Sequence, residues 1–417
     1  MAAAQRIDAR GDDVVVLEAA EEVGGRTRSL VLGPGHRFDA GAAWLTSFYT
    51  ETLALADGLA LLRRDVAGHP DLLVDGRRYP APFTPGVLAT TPLLGTGEKL
   101  RFLRWAARAL RRHPRVHVGR HATEADRLDA DTAVRTAVGD AAVDHLLRPA
   151  FETMVFAPLE ELSADFVEGW VRAALTARYF VPADGMDAPW RRLAARLEVR
   201  TGVVVTGVAV RPAGGVVVEP IGVFDAAVLA VPAPVAARLV APGTPGRPAW
   251  LDQVRHAPHV LAHAARPHPD PPPGTDVHPG GPGRHRVGSV ALLPGGDGRV
   301  PVGMQGATVS AEGWWSAQLL AEDLDDDALS DRLWSEGRRL EPSLFPLEDA
   351  TVATVVRLPL AVPIFGPGHL TRLRAWAPTA PIALAGDWSY YPCIEGAVRS
   401  GQRAADAILR AGGRHAG

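Results

Sequence analysis

The sequence predicts an α/β chain built on a doubly wound parallel sheet, and three observations predict it. The apolar run Val14-Val15-Val16-Leu17 ends in Glu18. An unbroken apolar strand suits a parallel sheet covered on both faces, and an acid at its C-terminal end can accept hydrogen bonds from ribose hydroxyls. A second apolar run, Ile382 to Ala385, ends at Gly386-Asp387 just before a helix. Between them, to about residue 200, apolar residues recur mostly at helical spacing.

Composition narrows the class. At 417 residues the chain exceeds one average domain. The formal charge of −3 gives no positive field to attract nucleic acid. Cys393 is the only cysteine, which excludes an intramolecular disulfide and a cysteine-only metal cluster. Lys99 is the only lysine, a bias that fits GC-rich coding and says little about function. No run of about 18 apolar residues suggests a membrane span, and Met1 to Arg10 lacks a signal-peptide pattern. A soluble cytoplasmic protein is expected.

Taken in order, Met1 to Arg10 reads as a short helix stopped at Gly11, followed by the Val14–Leu17 strand. Helices are expected at Thr50–Leu62, at Lys99–Arg112, at Thr132–Leu147 with Pro149 as the stop, at Leu162–Ala177 and at Pro189–Leu197. Val203–Val210 and Gly215–Glu219 read as a hairpin, and Phe224–Pro232 as a buried strand. His256 to Gly306, rich in Pro, Gly and His, reads as loop. A helix at Leu319–Leu340, a strand at Val352–Leu358, a turn at Pro363–Gly368, the Ile382–Ala385 strand and a helix from Glu395 to Leu409 complete the chain.

The chemistry is concentrated near the two ends. After Glu18 comes Gly24-Gly25-Arg26-Thr27-Arg28. Two glycines let the backbone approach a bulky ligand, and Arg26 and Arg28 bring charge to a pyrophosphate or an electron-rich ring. A plain glycine turn with surface arginines is the alternative. At the other end, Asp387 can hold a ribose or ribityl hydroxyl, and the helix start at Ile394-Glu395-Gly396-Ala397 offers free N–H donors. The alternative there is an ordinary strand–loop–helix unit.

These pieces, with FDAGAAWL at Phe38–Leu45 and FDAAVLAVPAPVAARL at Phe224–Leu239, carry a resemblance that spans nearly the whole chain. In this order they resemble the flavin-containing amine oxidase superfamily, including its protoporphyrinogen-oxidase-like and carotenoid-desaturase-like branches. The resemblance implies an FAD-binding Rossmann-like domain, assembled from residues 1–60, 198–235 and 380–412, interleaved with an α+β substrate domain from 61–197 and 236–379. It implies that Glu18 binds the adenosine ribose of FAD. Gly24, Gly25 and Arg26 would form the loop beside pyrophosphate and flavin, and the backbone at Gly41 and Ala42 would pass the flavin. Val204 or a neighbour would meet adenine, Gly386 and Asp387 the ribityl and phosphate groups. Ile394, Glu395 and Ala397 would stand at the helix start against the pyrimidine end of the flavin.

Two departures stand out. The family opens with a strand and a G-x-G-x-x-G turn, and neither precedes Glu18 here. Losing a central strand would leave two buried strand edges unpaired. Each buried unsatisfied group costs about 1–3 kcal/mol, against a domain stability of about 5–15 kcal/mol. A start assigned too late is therefore expected over a natural loss. The second departure is lysine: several amine-oxidising branches hold a water near flavin N5 with one, and Lys99 lies in a basic helix away from the matching strand. That favours dehydrogenation of a C–C or ring C–N bond, or an atypical oxidase. The expected activity is hydride transfer from a small, largely apolar substrate to flavin N5, with oxygen or another electron acceptor reoxidising the flavin. A flavin-free descendant that binds or cyclises an apolar ligand is the alternative.

Other residues invite a role. Cys393 could carry a covalent flavin or act as a redox thiol, but a small pocket-lining residue is preferred. Trp388, Tyr390 and Tyr391 could wall the ring, with ordinary packing as the alternative. His256, His259, His263, His268, His278 and His285 do not follow metal-site spacing and read as incidental loop residues. Asp323–Asp327 lacks the Gly and Glu of a calcium loop and reads as a solvated turn capping a helix. The Lys99–Arg112 helix could lie on a membrane surface, although a solvated arginine face over an apolar packing face is preferred.

Overall fold

The computed structural model describes residues 1–66, 70–82, 84–114, 122–270, 274–295 and 299–412. Two parallel strand pairs hold the ends of the chain. Val15–Leu17 pairs with Glu198–Arg200, and Ala227–Ala230 pairs with Ile382–Ala385. Each pair forms its own two-stranded sheet. Ile382–Ala385 is buried throughout, whereas Val15–Leu17 is only half-buried. The strand Glu198–Arg200 escapes sequence reading because Glu-Val-Arg carries no apolar run. The expected hairpin is present as Gly207–Val210 against Val216–Glu219, extended by Gly222–Phe224.

The C-terminal helix Ile394–Gly412 closes this region. It packs on the N-terminal helix Ala2–Asp8, where Arg6 pairs with Asp406 and Gly401 lies against Ala2 and Ala3. No helix among the described residues is long and apolar enough to cross a membrane.

A seven-stranded sheet corrects the loop expected at His256–Gly306. The edge strand Val352–Pro363 is followed by the long strand His256–Pro267 and by Met304–Ala311, and the sheet continues through Val287–Pro294 and Thr275–Pro279 to Asp71–Val74 and Arg77–Pro80. The His256–Pro267 strand escapes prediction because histidines stand where apolar residues are expected. Period-two alternation sorts its residues. Val260, Ala262 and Ala264 face the helices Gly313–Ala321 and Asp326–Leu340. Leu261 packs on the other face with Phe38 and Ala40; His259 and His263 share that face.

The helical region differs from expectation in one place. The run expected at Thr132–Leu147 is a helix at Ala130–Val138 that breaks at Gly139, φ +97°, and resumes through 140–147 into Arg148–Val155. Pro149 does not stop the helix; it stands at the second residue of Arg148–Val155, directly after the π-helical turn Val143–Leu147, whose wider bonding ladder tolerates the missing N–H. Likewise Leu319–Leu340 is two helices, with Asp325 capping the second by accepting from the Ala328 N–H. The basic helix Thr96–Arg112 buries Trp105, Ala106 and Ala109, and turns Leu100 and Leu103 outward, about half exposed.

Candidate cofactor and substrate site

The site forms where the two ends of the chain meet. Gly24 takes a left-handed conformation and opens the tight turn Gly25–Thr27, pinned by the Thr27 hydroxyl donating to the Gly24 carbonyl at 2.7 Å. This turn aims Arg26 across the molecule. Its guanidinium donates to both oxygens of Asp387, at 2.8 and 2.9 Å, and to the Ala361 carbonyl at 2.7 Å. Asp387 lies just past the Ile382–Ala385 strand and also accepts from the Trp388 N–H. The paired N–H donors match the carboxylate fork, the strongest geometry for such a pair.

Gly41 and Ala42 pass directly beside the turn. The Ala42 N–H donates to the Arg26 carbonyl at 2.9 Å, and a Cβ on Gly41 would lie 2.0 Å from that same oxygen. Only glycine permits this approach. Gly41→Ala is expected to displace the Arg26 turn and to destabilise the chain by about 1–3 kcal/mol, read as a lower urea midpoint; an unchanged midpoint would disprove the close approach.

The remaining predicted residues divide into three groups. Glu18 stands at its strand tip, with Oε1 accepting from the Ala20 N–H and its carbonyl accepting from the Val203 N–H. Val204, next to it, is 61% exposed and open to a ligand. Gly386 donates its N–H to the Ser400 hydroxyl, tying the strand end to the C-terminal helix. Ile394 packs with Leu45 and Tyr49, and the Ala397 N–H donates to the Cys393 carbonyl. Glu395 is occupied structurally: its carboxylate accepts from the Glu51 and Thr52 N–H groups, the Thr52 hydroxyl and Arg399. It caps the helix Thr50–Gly58, so only its backbone is left to face a cofactor.

The aromatic candidates also separate. Trp388 is fully buried, donates to the Val231 carbonyl and packs among Trp250 and Trp376, in the core behind the strand rather than on a pocket wall. Tyr390 lies beneath Arg399 and Arg403. Tyr391 stacks on Trp170 with ring centres 5.1 Å apart, and Phe48 and Phe166 stand edge-on or tilted around them. The Tyr391 hydroxyl and Trp170 Nε1 are buried without partners.

Burial pushes the Cys393 thiol up to about 12, although the Gly396 N–H and the Tyr49 hydroxyl hydrogen-bond the sulfur. That removes the thiolate a redox or linkage role needs. Native protein at pH 7.5 is expected to resist iodoacetamide and to react only once unfolded; mass spectrometry of fast native labelling would restore the thiol as a candidate.

His259, His263 and His369 are buried and His256 is half-buried; the sequence alone set His256, His259 and His263 down as incidental loop residues and did not single out His369. His259 bonds the Ser310 hydroxyl at 2.7 Å and stacks on Phe156. His263 bonds His36 at 3.0 Å and Thr308 at 3.2 Å, and stacks on Phe38. His369 donates to the Trp388 carbonyl at 2.9 Å. His256 faces Asp387, Arg26 and His369. Burial pushes His256 and His369 down to about 4, and His259 and His263 down to about 3. The i, i+4 spacing of His259 and His263 in an Ala- and Val-rich run was the available signal, since it keeps both on one face of a strand.

Two charged clusters lie apart from the fork. Glu312, at the start of the helix Gly313–Ala321, is pushed up to about 8 by burial and by repulsion from Glu152. Burial likewise raises Glu152 to about 7, although Arg148 opposes it. His113, Asp165 and Glu168 bring possible ligand atoms within 4.8 Å of one another. Arg112 already binds Glu168, and Thr123 donates twice to Asp165.

The residues fit a flavin dinucleotide. An acid stands at one strand tip and a guanidinium–carboxylate fork at the other. Both ring nitrogens of His256 are buried beside that fork without hydrogen-bond partners. A family model described as flavin containing amine oxidoreductase matches residues 1–409. The chain belongs to this family. Membership implies a flavin cofactor.

Solved structures agree on the fold of this flavin amine oxidoreductase. Cyclohexylamine oxidase from Brevibacterium oxydans is 20% identical, with a TM-score of 0.76 over 99% of this chain and 97% of that one. An Exiguobacterium protein with a provisional protoporphyrinogen oxidase label is 17% identical, with a TM-score of 0.76 over 98% and 96%. A fatty acid isomerase from P. acnes is 15% identical, with a TM-score of 0.71 over 98% and 95%. At these identities the likeness carries the fold alone: a Rossmann-like domain joined to a substrate domain. No curated protein matches by sequence.

Proposed function

We propose that the chain is an FAD-dependent oxidoreductase acting in the cytoplasm on a C–N or C–C bond of a small, largely apolar substrate, with oxygen or another acceptor taking the electrons. Bound FAD would supply the hydride acceptor at N5. The observation that carries the reading is the Arg26–Asp387 fork, which joins the glycine turn to the tip of the second parallel strand pair. Around it, Glu18 would hold the adenosine ribose and Arg26 the charged linker. Residues 1–60, 198–235 and 380–412 would form the cofactor half, with 61–197 and 236–379 forming the substrate half.

The chain's own residues do the positioning. Trp170, Tyr391 and Phe48 would supply an apolar wall, while the unpartnered Tyr391 hydroxyl and Trp170 Nε1 would offer two polar points for orienting a substrate. Lys99 donates its Nζ to the Ala89 carbonyl, so the only lysine is held away from the fork. That supports C–C or ring C–N dehydrogenation over the lysine-assisted oxidation of a simple amine.

The test is the visible spectrum of the purified chain after FAD is added and excess is removed by desalting. Retained flavin absorption is expected. A folded but colourless protein would overturn the proposal in favour of a flavin-free ligand binder.

A further inference from the structure

His256 opens the long strand His256–Pro267, second in the large sheet, and pairs in register with Pro363 of the edge strand. Compared with His259, His263 and His369, it alone has neither ring nitrogen engaged. His259, His263 and His369 each hydrogen-bond a neighbour, whereas Nδ1 and Nε2 of His256 are both shut off from solvent and both unpartnered. Leaving a buried polar atom unsatisfied costs about 1–3 kcal/mol, and this ring carries two. Retained orphans of this kind call for an explanation such as a ligand.

The surroundings narrow the ligand's chemistry. The charged and titratable groups that face His256 are Asp387, Arg26 and His369. Burial outweighs the attraction of Asp387 and keeps the ring neutral, so one nitrogen donates and the other accepts. A phosphate oxygen only accepts and could satisfy one nitrogen. A hydroxyl both donates and accepts, and neighbouring hydroxyls on a polyol chain can satisfy both. Arg26 and Asp387 supply the matching donor and acceptor beside them.

We propose that His256 is a cofactor-binding residue whose imidazole hydrogen-bonds the hydroxylated, ribityl-type linker of the flavin next to the Arg26–Asp387 fork. This rests on the flavin reading above. It gives the substrate-side sheet a direct part in holding the cofactor.

The experiment compares wild type with His256→Phe and His256→Gln in titrations followed by flavin fluorescence, using FAD, riboflavin and lumiflavin, which lacks the ribityl chain. His256→Phe removes both polar atoms at similar size. Its flavin-free form is expected to melt at or above the wild-type temperature, since two orphaned groups are gone. Its FAD and riboflavin affinities are expected to fall about tenfold or more, the loss of one to two hydrogen bonds. Lumiflavin affinity is expected to stay unchanged. His256→Gln keeps a donor and an acceptor and is expected to recover most of the loss, and it decides the question if the Phe variant does not fold. Equal FAD affinity in all folded variants overturns the His256 role and leaves the flavin reading standing. A uniform loss that includes lumiflavin overturns the linker contact. Wild type that binds none of the three flavins overturns the parent reading and this one together.

Discussion

Arg26→Ala is expected to leave the chain unable to retain flavin and to lower its stability by about 3–5 kcal/mol, the usual cost of removing one partner of a buried ion pair. The magnitude follows from an asymmetry of exposure. The Asp387 side chain is 8% exposed and the Arg26 side chain 30%. Without Arg26, Asp387 keeps the Trp388 N–H and loses both guanidinium donors, so a nearly desolvated carboxylate is left short of partners. The reverse change is milder. Asp387→Asn keeps one acceptor, and Arg26 can still reach water and the Ala361 carbonyl. Urea unfolding of the flavin-free variants should therefore rank Arg26→Ala well below Asp387→Asn, while flavin retention after desalting should fall in both. Wild-type flavin retention by Arg26→Ala would place the cofactor away from the fork.

The flavin-free protein is expected to be most stable near pH 6.5, with losses of several kcal/mol on either side. On the acid side the buried histidines act. His256 and His369 are pushed down to about 4 and His259 and His263 to about 3, against an unfolded value near 6.5. Below pH 6.5 the unfolded chain binds up to four protons that the folded one refuses, so stability falls as pH falls. Each proton contributes about 1.4 kcal/mol per pH unit.

The glutamates act in the opposite sense. Glu152 and Glu312 are pushed up to about 7 and about 8. Their stabilisation is complete below the ordinary carboxyl range and is lost as pH rises through the folded values. Between about pH 4.5 and 6.5 four histidines outweigh two glutamates, and stability rises with pH. Above 6.5 the two glutamates pull stability down towards pH 8, joined by His278, which is raised despite its burial by Asp276, and opposed by the N-terminal amine, which burial lowers. Melting temperatures from pH 4.5 to 9 would show this maximum, and Glu312→Gln should flatten the alkaline limb. A flat wild-type curve between pH 6.5 and 8 would contradict the burial of that pair.

The strands and the glycine turn at the two ends of the chain were legible in the sequence because their signals are local. An apolar strand, an acidic tip and a glycine turn follow one another within about twenty residues, and Ile382–Ala385, Gly386 and Asp387 repeat the logic. What the sequence could not show is that Arg26 and Asp387 bind each other, since the ion pair depends on tertiary approach. The large sheet was hidden for a different reason. His259 and His263 are polar by type but become tolerable inside because Ser310, Thr308 and His36 satisfy them, and those partners lie on other segments. For Trp388 the sequence left wall and ordinary packing open, because the Val231 carbonyl that holds its indole N–H in the core lies more than 150 residues away. Glu395 was legible as a helix start but not as the cap of a helix more than 340 residues earlier.

The fork joins residues 361 positions apart. On a ribosome, Arg26 emerges long before Asp387 exists. The glycine turn can form early, but its charge has no partner until nearly the whole chain has been made. Closing so wide a loop is entropically slow, and nascent domains generally fold from the N-terminus as they emerge. Here that order cannot complete the fork. On the proposed reading, flavin capture would be confined to the end of synthesis, and translation that stops before Asp387 would yield a chain without the fork.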